Sequence, residues 1–358
     1  MRRKEKHIAN GALVGAGLVV LADIFMQWRE HKEENKEFTW DSYDGWRTIK
    51  RGALGGLVGG AIGYGVYLYK ISEEEKIPFN SDEFLKKVLT EESLKADPNL
   101  LQKVLKYRED VKQWLVNVYG DKLVAPPENT GSFHKRTAIN SNYDLDIVLP
   151  FKNTAYNTLE DMYVNVFEKI SSRFSSVALV TKQTKAVGLT FTEGSRIVHF
   201  DIVPGREIND YINDKDLNLY VRPDWAWQKG GSFKTNIDIQ KQLTVNKPEA
   251  RKIIKLFKVY RDKNGFPLPT IIVDQLVVEA FEKSNFDWSR SETDNLLYSM
   301  EFIAKKLKNQ ALIDFANTNN NLAEKLTSSQ RTYTCDQLIR DLERIEENPR
   351  YIKEIFES

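Results

Sequence analysis

The sequence contains a single cysteine, Cys335, among its 358 residues. An internal disulfide is therefore impossible, and so is a zinc site built from several cysteines. This composition fits a reducing compartment, and it excludes a small secreted domain held together by disulfides.

The chain also lacks an excess of charge of either sign. Its 52 Lys and Arg residues face 51 Asp and Glu residues, which leaves a formal net charge of +1. Composition therefore gives no indication of a nucleic-acid, membrane-surface or acidic partner, and a patch for such a partner has to be local. With 41% hydrophobic residues, the chain can bury one or two proper cores, which excludes intrinsic disorder as its main state.

Glycine is scarce in most of the chain, since 11 of the 19 glycines lie at or before Gly65. Two mostly apolar segments, residues 8–28 and 52–69, flank a charged connector in the same region. The glycines recur at four-residue steps, as in Gly52, Gly56 and Gly60, and this spacing lets two helices approach closely in a membrane. We therefore predict a membrane-inserted, glycine-rich helical hairpin over residues 1–70, although both segments are of borderline length for a spanning helix of about 20 residues.

Two other interpretations of this hairpin stay open. In the first, it docks on a soluble domain or on an oligomer. In the second, its beginning is a cleaved export signal, because Arg2, Arg3 and Lys4 precede an apolar run that ends at Ala22. Val20 is not the small residue that such cleavage requires, and a second apolar segment follows.

Beyond residue 70 the sequence has the pattern of an α+β protein. Helical apolar spacing covers residues 84–94, 100–119, 158–174, 249–262, 271–281, 295–313, 320–326 and 335–346. Alternating apolar residues indicate strands at residues 145–149, 177–179, 187–191 and 198–202, and the last three suit a meander of adjacent strands.

Two carboxylates lie two residues apart in the first of these strands. Because side chains alternate along a strand, Asp144 and Asp146 share one face, while Leu145, Ile147 and Leu149 enter the core. Like charges at this separation repel each other unless a cation lies between them, and carboxylate oxygens suit Mg²⁺ or Mn²⁺. The pair indicates a divalent-metal site, although an Asp-x-Asp pair alone is more often a solvated strand face.

A third carboxylate, Asp201, lies in another predicted strand and shares its polar face with His199. If a neighbouring strand brings Asp201 to the Asp pair, three carboxylates can hold two metal ions for phosphoryl transfer. Upstream, the turn at Gly131 and Ser132 offers backbone N–H groups and a hydroxyl where the chain has to approach a triphosphate closely.

The order of these motifs resembles the DNA polymerase β-like nucleotidyltransferase superfamily, with Gly131-Ser132, Thr137, Asp144-x-Asp146 and Asp201-Ile202-Val203-Pro204 in sequence. More narrowly, it resembles the branch that contains oligoadenylate synthetase, cyclic GMP-AMP synthase and the bacterial CD-NTases, the cyclic-oligonucleotide synthases of anti-phage defence. Residues 251–260 are similar to the family's helix with a phosphate-contacting lysine, matched by Lys258. Thr270 and Asp274 match its following Ser-and-acid helix with conservative changes. The resemblance covers residues 100 to about 346.

The resemblance implies a fold of two parts with a cleft between them. Residues 71–246 would form an α+β catalytic core around a mixed, mostly antiparallel sheet, and residues 247–358 a helical C-terminal lobe. Asp144 and Asp146 would bind both Mg²⁺ or Mn²⁺ ions, and Asp201 would bind the catalytic ion and activate the acceptor hydroxyl.

The resemblance also implies that Gly131 and Ser132 hold the donor triphosphate. Arg136, Thr137 and Lys258 complete the predicted nucleotide-binding set, although Lys258 is equally well interpreted as a solvated helix lysine. The basic run His134-Lys135-Arg136 is equally compatible with phosphate contact and with an exposed loop. His199 is expected to be a hydrogen-bonded neighbour rather than a general base. Trp225, Trp227 and Phe233 would either stack on a base or pack in the core.

The expected function is a membrane-associated nucleotidyltransferase whose catalytic domain lies in the bacterial cytoplasm. It would join ATP or other ribo- or deoxyribonucleoside triphosphates into a short cyclic or linear oligonucleotide, release pyrophosphate and signal to a downstream effector or partner protein, with a homo-oligomer as one assembly. One alternative makes the hairpin a membrane-acting effector or regulator and the nucleotidyltransferase body its sensor. Another is a toxin or antitoxin that transfers nucleotides to RNA or protein.

Overall fold

A computed structural model of the chain describes residues 79–140, 144–193, 196–223, 225, 228–283 and 286–357. The predicted glycine-rich hairpin lies outside these residues, so its insertion into a membrane stays a prediction. Within the described ranges, no helix combines the length and the apolar character that crossing a membrane requires. Residues Asn80–Ser358 form one compact unit.

A mixed sheet of seven strands is the centre of this unit. Its strand order is β1-β2-β5-β4-β3, and β6 pairs with β5 and in turn with β7. The strands are β1 (Glu128–Thr130), β2 (Asp144–Phe151), β3 (Leu179–Lys182), β4 (Val187–Glu193), β5 (Arg196–Glu207), β6 (Asp216–Val221) and β7 (Gly231–Asn236). The pairing of β2 with β5 is parallel, and the other pairings in this sheet are antiparallel. The predicted mixed, mostly antiparallel sheet and the predicted β3-β4-β5 meander are both confirmed.

The helices follow the predicted pattern closely in the first half of the unit. They are α1 (Ser81–Glu91), α2 (Pro98–Tyr119), α3 (Gly131–His134), α4 (Leu159–Phe174), α5 (Tyr211–Asp214), α6 (Ile237–Gln242), α7 (Pro248–Asn264), α8 (Thr270–Lys283), α9 (Glu292–Asn309), α10 (Ser328–Glu347) and α11 (Tyr351–Glu357). Helix α4 starts at a capping box, in which Thr158 and Asp161 satisfy each other's backbone N–H groups.

The apolar face of the sheet packs against α2 and α4. Residues Leu145, Ile147 and Leu149 of β2 share this core with Val198, Phe200 and Ile202 of β5, and all six are buried. The polar residues that alternate with them therefore lie on the opposite face of the sheet.

A second core belongs to the helical lobe, formed by α7 to α11. Helix α1 packs in this core through Leu85 and Val88, although residues 71–246 were expected to belong to the catalytic part. Asp82 fastens the helix there, because its carboxylate accepts hydrogen bonds from the backbone N–H and the hydroxyl of Thr293.

Two predicted helices are wrong in their extent. Residues 295–313 were expected to be one helix, but α9 ends at Asn309 and Ile313 begins a small hairpin of β8 (Ile313–Asp314) and β9 (Asn317–Asn321). Residues 320–326 contain the end of β9 and a 3₁₀ turn, Leu322–Lys325, instead of a helix. The reason is local, since Gln275 of α8 binds the carbonyl of Ile313 and the N–H of Phe315. The asparagines of β9 also favour turns over helix.

The apolar spacing of residues 100–119 predicts a buried helix stripe that ends at Val118, and the structure of α2 differs from this prediction at its end. Val104, Val111 and Leu115 are buried as expected, but Val118 is 38% exposed. Tyr119 is buried in its place, because it lies four residues after Leu115 and so continues the same helix face.

Tyr163 of α4 connects the core to the turn between β3 and β4. Its hydroxyl lies 2.8 Å from the carbonyl of Gln183 and 3.0 Å from that of Ala186, and burial raises its pKa to about 12. We expect Tyr163→Phe to lower the free energy of unfolding by about 1–2 kcal/mol, because the carbonyl of Gln183 loses this donor, whereas that of Ala186 keeps the backbone N–H of Gln183. Urea unfolding measures this loss.

The matched control is Tyr298→Phe. The Tyr298 ring stacks on Phe286 with centroids 4.1 Å apart, and its hydroxyl makes no hydrogen bond within the residues described. Its removal should change the free energy of unfolding by less than about 0.5 kcal/mol. Equal losses in the two variants would contradict the assigned role of the Tyr163 hydroxyl.

Candidate active site

Two of the predicted metal-binding acids lie side by side on the polar face of the sheet. The Cα atom of Asp146 pairs with that of Asp201 in the parallel register of β2 and β5, so both residues share one face. Asp144 begins β2 and pairs with His199 in the same register. The structure does not describe the side chain of Asp144.

Gly131 brings the predicted phosphate-binding turn directly onto Asp146. Strand β1 ends where Thr130 pairs with Asp146, and Gly131 follows with φ +70°. A Cβ atom at Gly131 would lie 1.4 Å from Oδ2 of Asp146. Both the left-handed backbone and this close approach therefore require glycine.

Hydrogen bonds from His199 on the same strand and from Gln183 in the turn between β3 and β4 fix the carboxylate of Asp201. Its Oδ1 lies 2.7 Å from Nε2 of Gln183, which donates, and 2.8 Å from Nε2 of His199. Nδ1 of His199 lies 2.7 Å from the hydroxyl of Thr190. Gly188 leaves room for this arrangement, because a Cβ atom there would lie 2.8 Å from Nε2 of Gln183.

These residues fit a divalent cation. The turn backbone at Gly131 packs on the carboxylate of Asp146, and Oδ2 of Asp201 accepts no hydrogen bond from the part of the chain that the structure describes. Carboxylate oxygens of this kind are the ligands that Mg²⁺ and Mn²⁺ prefer. Among the described side chains, which exclude that of Asp144, no three acidic, histidine or cysteine residues are grouped to hold a metal ion.

A cavity of about 310 Å³ opens beside Asp146, between the sheet and the helical lobe. Gly131, Ser132 and Lys135 line it from the sheet side, with the 239–243 segment. From the helical lobe it is lined by Lys258, Arg261, Thr270, Ile271, Gln275, Asp314, Phe315 and Ala316.

Asp274 of α8 joins the two sides of this cavity. It is completely buried, its Oδ2 accepts a hydrogen bond from Lys135, and its Oδ1 lies 3.1 Å from Nζ of Lys258. The contact with Lys258 is an ion pair rather than an aligned hydrogen bond. Burial alone would raise the pKa of Asp274, but the two ammonium groups outweigh burial and hold this pKa below its usual value.

Lys258 is only 3% exposed. Its Nζ donates to the carbonyl and to the hydroxyl of Thr137, both at 3.1 Å. Burial lowers the pKa of Lys258, Asp274 opposes this effect and Lys135 adds to it. Lys258 is therefore a buried residue of the cavity wall and not a solvated helix lysine.

The other predicted nucleotide-binding residues lie in different places. Gly131 and Ser132 line the cavity, and their contact with a triphosphate stays a prediction. Thr137 is fully buried behind Lys258, and the side chain of Arg136 is exposed and does not line the cavity. Nucleotide binding by Arg136 and Thr137 stays a prediction.

Of the three aromatic residues, Trp225 is exposed, Phe233 packs under the ammonium of Lys185, and Trp227 is outside the described residues.

Gly131→Ala tests the contact between the turn and Asp146. We expect it to lower the free energy of unfolding by more than about 2 kcal/mol and to weaken Mn²⁺ binding, because the new methyl group displaces the Asp146 carboxylate. Gly265→Ala is the matched control, since Gly265 has φ +66° but nothing lies within 4 Å of its Cβ position. The control should lose about 1 kcal/mol of stability and keep its Mn²⁺ affinity. Equal effects on Mn²⁺ binding would contradict this assignment.

Gln183→Leu tests how Asp201 is held. Without the amide donor, only His199 still holds the carboxylate, and we expect Mn²⁺ affinity to fall by about 10- to 100-fold, as measured by calorimetric titration. Thr192→Ala, an exposed position on β4, is the control and should keep the wild-type affinity. Wild-type Mn²⁺ binding by Gln183→Leu would show that Asp201 does not depend on this hydrogen bond.

The chain is similar in sequence to a curated protein and in structure to several solved ones. No family model matches the chain. A cyclic GMP-AMP synthase-like receptor from Microplitis demolitor is 23% identical over 205 residues, which are 52% of this chain and 39% of that protein. The chain thus spans well under half of the length of this curated relative.

Solved structures are similar over a larger part of the chain. CdnC of E. coli MS115-1, solved with ATP, matches with a TM-score of 0.60 and 17% identity over 77% of this chain and 98% of that chain. The CD-NTase CdnG of Bradyrhizobium diazoefficiens, in complex with GTP, also has a TM-score of 0.60, with 14% identity and the same coverage. At these identities the likeness concerns the fold. The chain therefore has the fold of the bacterial CD-NTases, the fold that the resemblance of its motifs implies.

Proposed function

We propose that this protein is a metal-dependent nucleotidyltransferase that joins nucleoside triphosphates into a short cyclic or linear oligonucleotide. The observation that carries the proposal is the register of β2 and β5, in which Asp146, a residue that lines the cavity together with Lys135 and Lys258, pairs with Asp201. The shared fold supports the same reaction class, since CdnC and CdnG were solved with ATP and GTP.

In the proposed reaction, the hydroxyl oxygen of the acceptor forms a bond to the α-phosphorus of the donor nucleotide. The bond from this phosphorus to the oxygen that bridges to the β-phosphate breaks, and pyrophosphate leaves. The hydroxyl proton goes to Oδ2 of Asp201, whose other oxygen is held by Gln183 and His199. No atom of the protein is consumed in this reaction.

Each side of the cavity has a separate task in this proposal. The backbone at Gly131 and the hydroxyl of Ser132 would orient the donor phosphates, and the cations of the cavity wall would balance their charge. Asp144, Asp146 and Asp201 would hold Mg²⁺ or Mn²⁺, which lowers the pKa of an attacking hydroxyl and stabilises charge on the transferred phosphoryl group. The enclosing helical lobe would keep bulk water from competing with the acceptor.

The cellular part of the proposal goes further. We propose a role in anti-phage signalling, with a downstream effector as the reader of the product. We also propose a protein partner, given that E. coli CdnC has been solved with HORMA-deltaN. Membrane association through residues 8–28 and 52–69 is part of the same proposal.

The test is incubation with labelled ribo- and deoxyribonucleotides in Mg²⁺ or Mn²⁺, followed by pyrophosphate release and mass analysis of the product. We expect Asp146→Asn and Asp201→Asn to lower the rate by more than about 100-fold, because each removes a carboxylate from the site. EDTA should abolish the reaction.

Asp336→Asn is the matched control, since Asp336 is an exposed residue of α10 that makes no side-chain hydrogen bond or ion pair with the residues that the structure describes. It should react like the wild type. The proposal would be contradicted if the purified protein released no pyrophosphate with any of the nucleotides in either Mg²⁺ or Mn²⁺. A nucleotide-tagged RNA or protein as the product would replace oligonucleotide synthesis with macromolecule modification.

A further inference from the structure

Two lysines line the proposed donor site, and their ammonium groups have different surroundings. Three oxygens lie within 3.1 Å of Nζ of Lys258, namely both oxygens of Thr137 and Oδ1 of Asp274. Two of its three N–H donors are used by Thr137, and the ion pair with Oδ1 of Asp274 occupies the remaining side of the ammonium group. With 4% of its side chain exposed, Lys258 has little room for a phosphate oxygen.

Lys135 differs on both counts. Its Nζ has one acceptor among the described residues, Oδ2 of Asp274, and 13% of its side chain is exposed. Two N–H donors are therefore left to face the cavity, which Lys135 lines next to Gly131 and Ser132.

The backbone conformation of the loop at residues 135–137 gives its three side chains different surroundings. Arg136 has φ +60°, a left-handed conformation that is uncommon for a residue other than glycine. Its side chain is exposed, whereas Lys135 before it and Thr137 after it both reach the helical lobe. The hydroxyl of Thr244 donates to the carbonyl of Lys135 at 2.8 Å and fixes the loop further.

The charges at this point do not balance. Two ammonium groups share the one carboxylate of Asp274, so this cluster of three charges carries one net positive charge at the wall of the cavity, which Asp146 and Arg261 also line. Such a charge is stabilised when an anion enters the cavity.

We infer that Lys135 is the lysine that contacts the polyphosphate of the donor, and that Asp274 and Lys258 are positioning residues that hold it there. This assignment rests on the proposed function and transfers the direct phosphate contact from Lys258 to Lys135. The hydrogen bond to Asp274 orients the ammonium of Lys135. Lys258 holds Asp274 through their ion pair and holds the end of the loop through its hydrogen bonds to Thr137.

Binding of inorganic tripolyphosphate without added metal, measured by calorimetry at several salt concentrations, tests the inference without any catalysis. Lys135→Met should weaken binding by about 10- to 100-fold, since it removes a hydrogen bond between charged groups, and should flatten the salt dependence. Lys135→Arg keeps the charge and should bind within a few fold of the wild type. Lys258→Met should lose less affinity, keep the wild-type salt slope and unfold at a lower temperature.

The double variant with both Lys135→Met and Asp274→Asn distinguishes a positioning role of Asp274 from a purely structural one. If Asp274 acts through Lys135, then Asp274→Asn weakens binding in the wild type but adds no further loss to Lys135→Met. A purely structural role of Asp274 would weaken both backgrounds equally and would overturn the positioning assignment.

Wild-type tripolyphosphate binding by Lys135→Met would overturn the inference, and so would a loss in Lys258→Met as large as that in Lys135→Met. If Lys258→Met does not fold, the two Lys135 variants decide alone. Failure of the proposed function has a different signature, because the wild type would then bind tripolyphosphate in this Lys135-dependent manner and form no product. Conversely, product formation with an unchanged KM in Lys135→Met would contradict only the inference.

Discussion

The parallel pairing of β2 with β5 determines where chemistry takes place in this protein. These strands place Asp146 next to Asp201 on one face, while the residues that alternate with them fill the core between the sheet and α4. A shift of one residue would turn the carboxylates into the core and expose the apolar residues, so burial of one face fixes the register. The same pairing that stabilises the fold thus assembles the site.

Contacts between the sheet and the helical lobe add the second constraint. The buried carboxylate of Asp274 accepts a hydrogen bond from Lys135 on one side and pairs with Lys258 on the other. Breaking a buried ion pair by removing one partner is costly, since the remaining charge is left without compensation. These contacts therefore hold the predicted phosphate-binding turn at a fixed distance from α7 and α8, across the cavity.

Much of this arrangement could be predicted from the sequence, because alternation and motif order are local signals. The alternation around Leu145 and Phe200 identified two central strands and the face on which their acids lie. Strand β6 was not predicted, although Leu217 and Leu219 alternate in the same way. Gln183 was not predicted to be part of the site, since a glutamine in a turn has no distinguishing pattern and its role depends on strand pairing. The burial of Lys258 also depends on a tertiary contact, with Thr137, that helix periodicity does not reveal.

The central claim is that Asp146 and Asp201 form one divalent-metal site beside a nucleotide. The most direct measurement is a crystal structure with Mn²⁺ and a non-hydrolysable nucleoside triphosphate, in which anomalous scattering locates the metal. We expect a Mn²⁺ peak within coordination distance of the carboxylates of both Asp146 and Asp201, with the phosphates next to Gly131. A metal bound elsewhere, or a nucleotide bound away from this face of the sheet, would contradict the account.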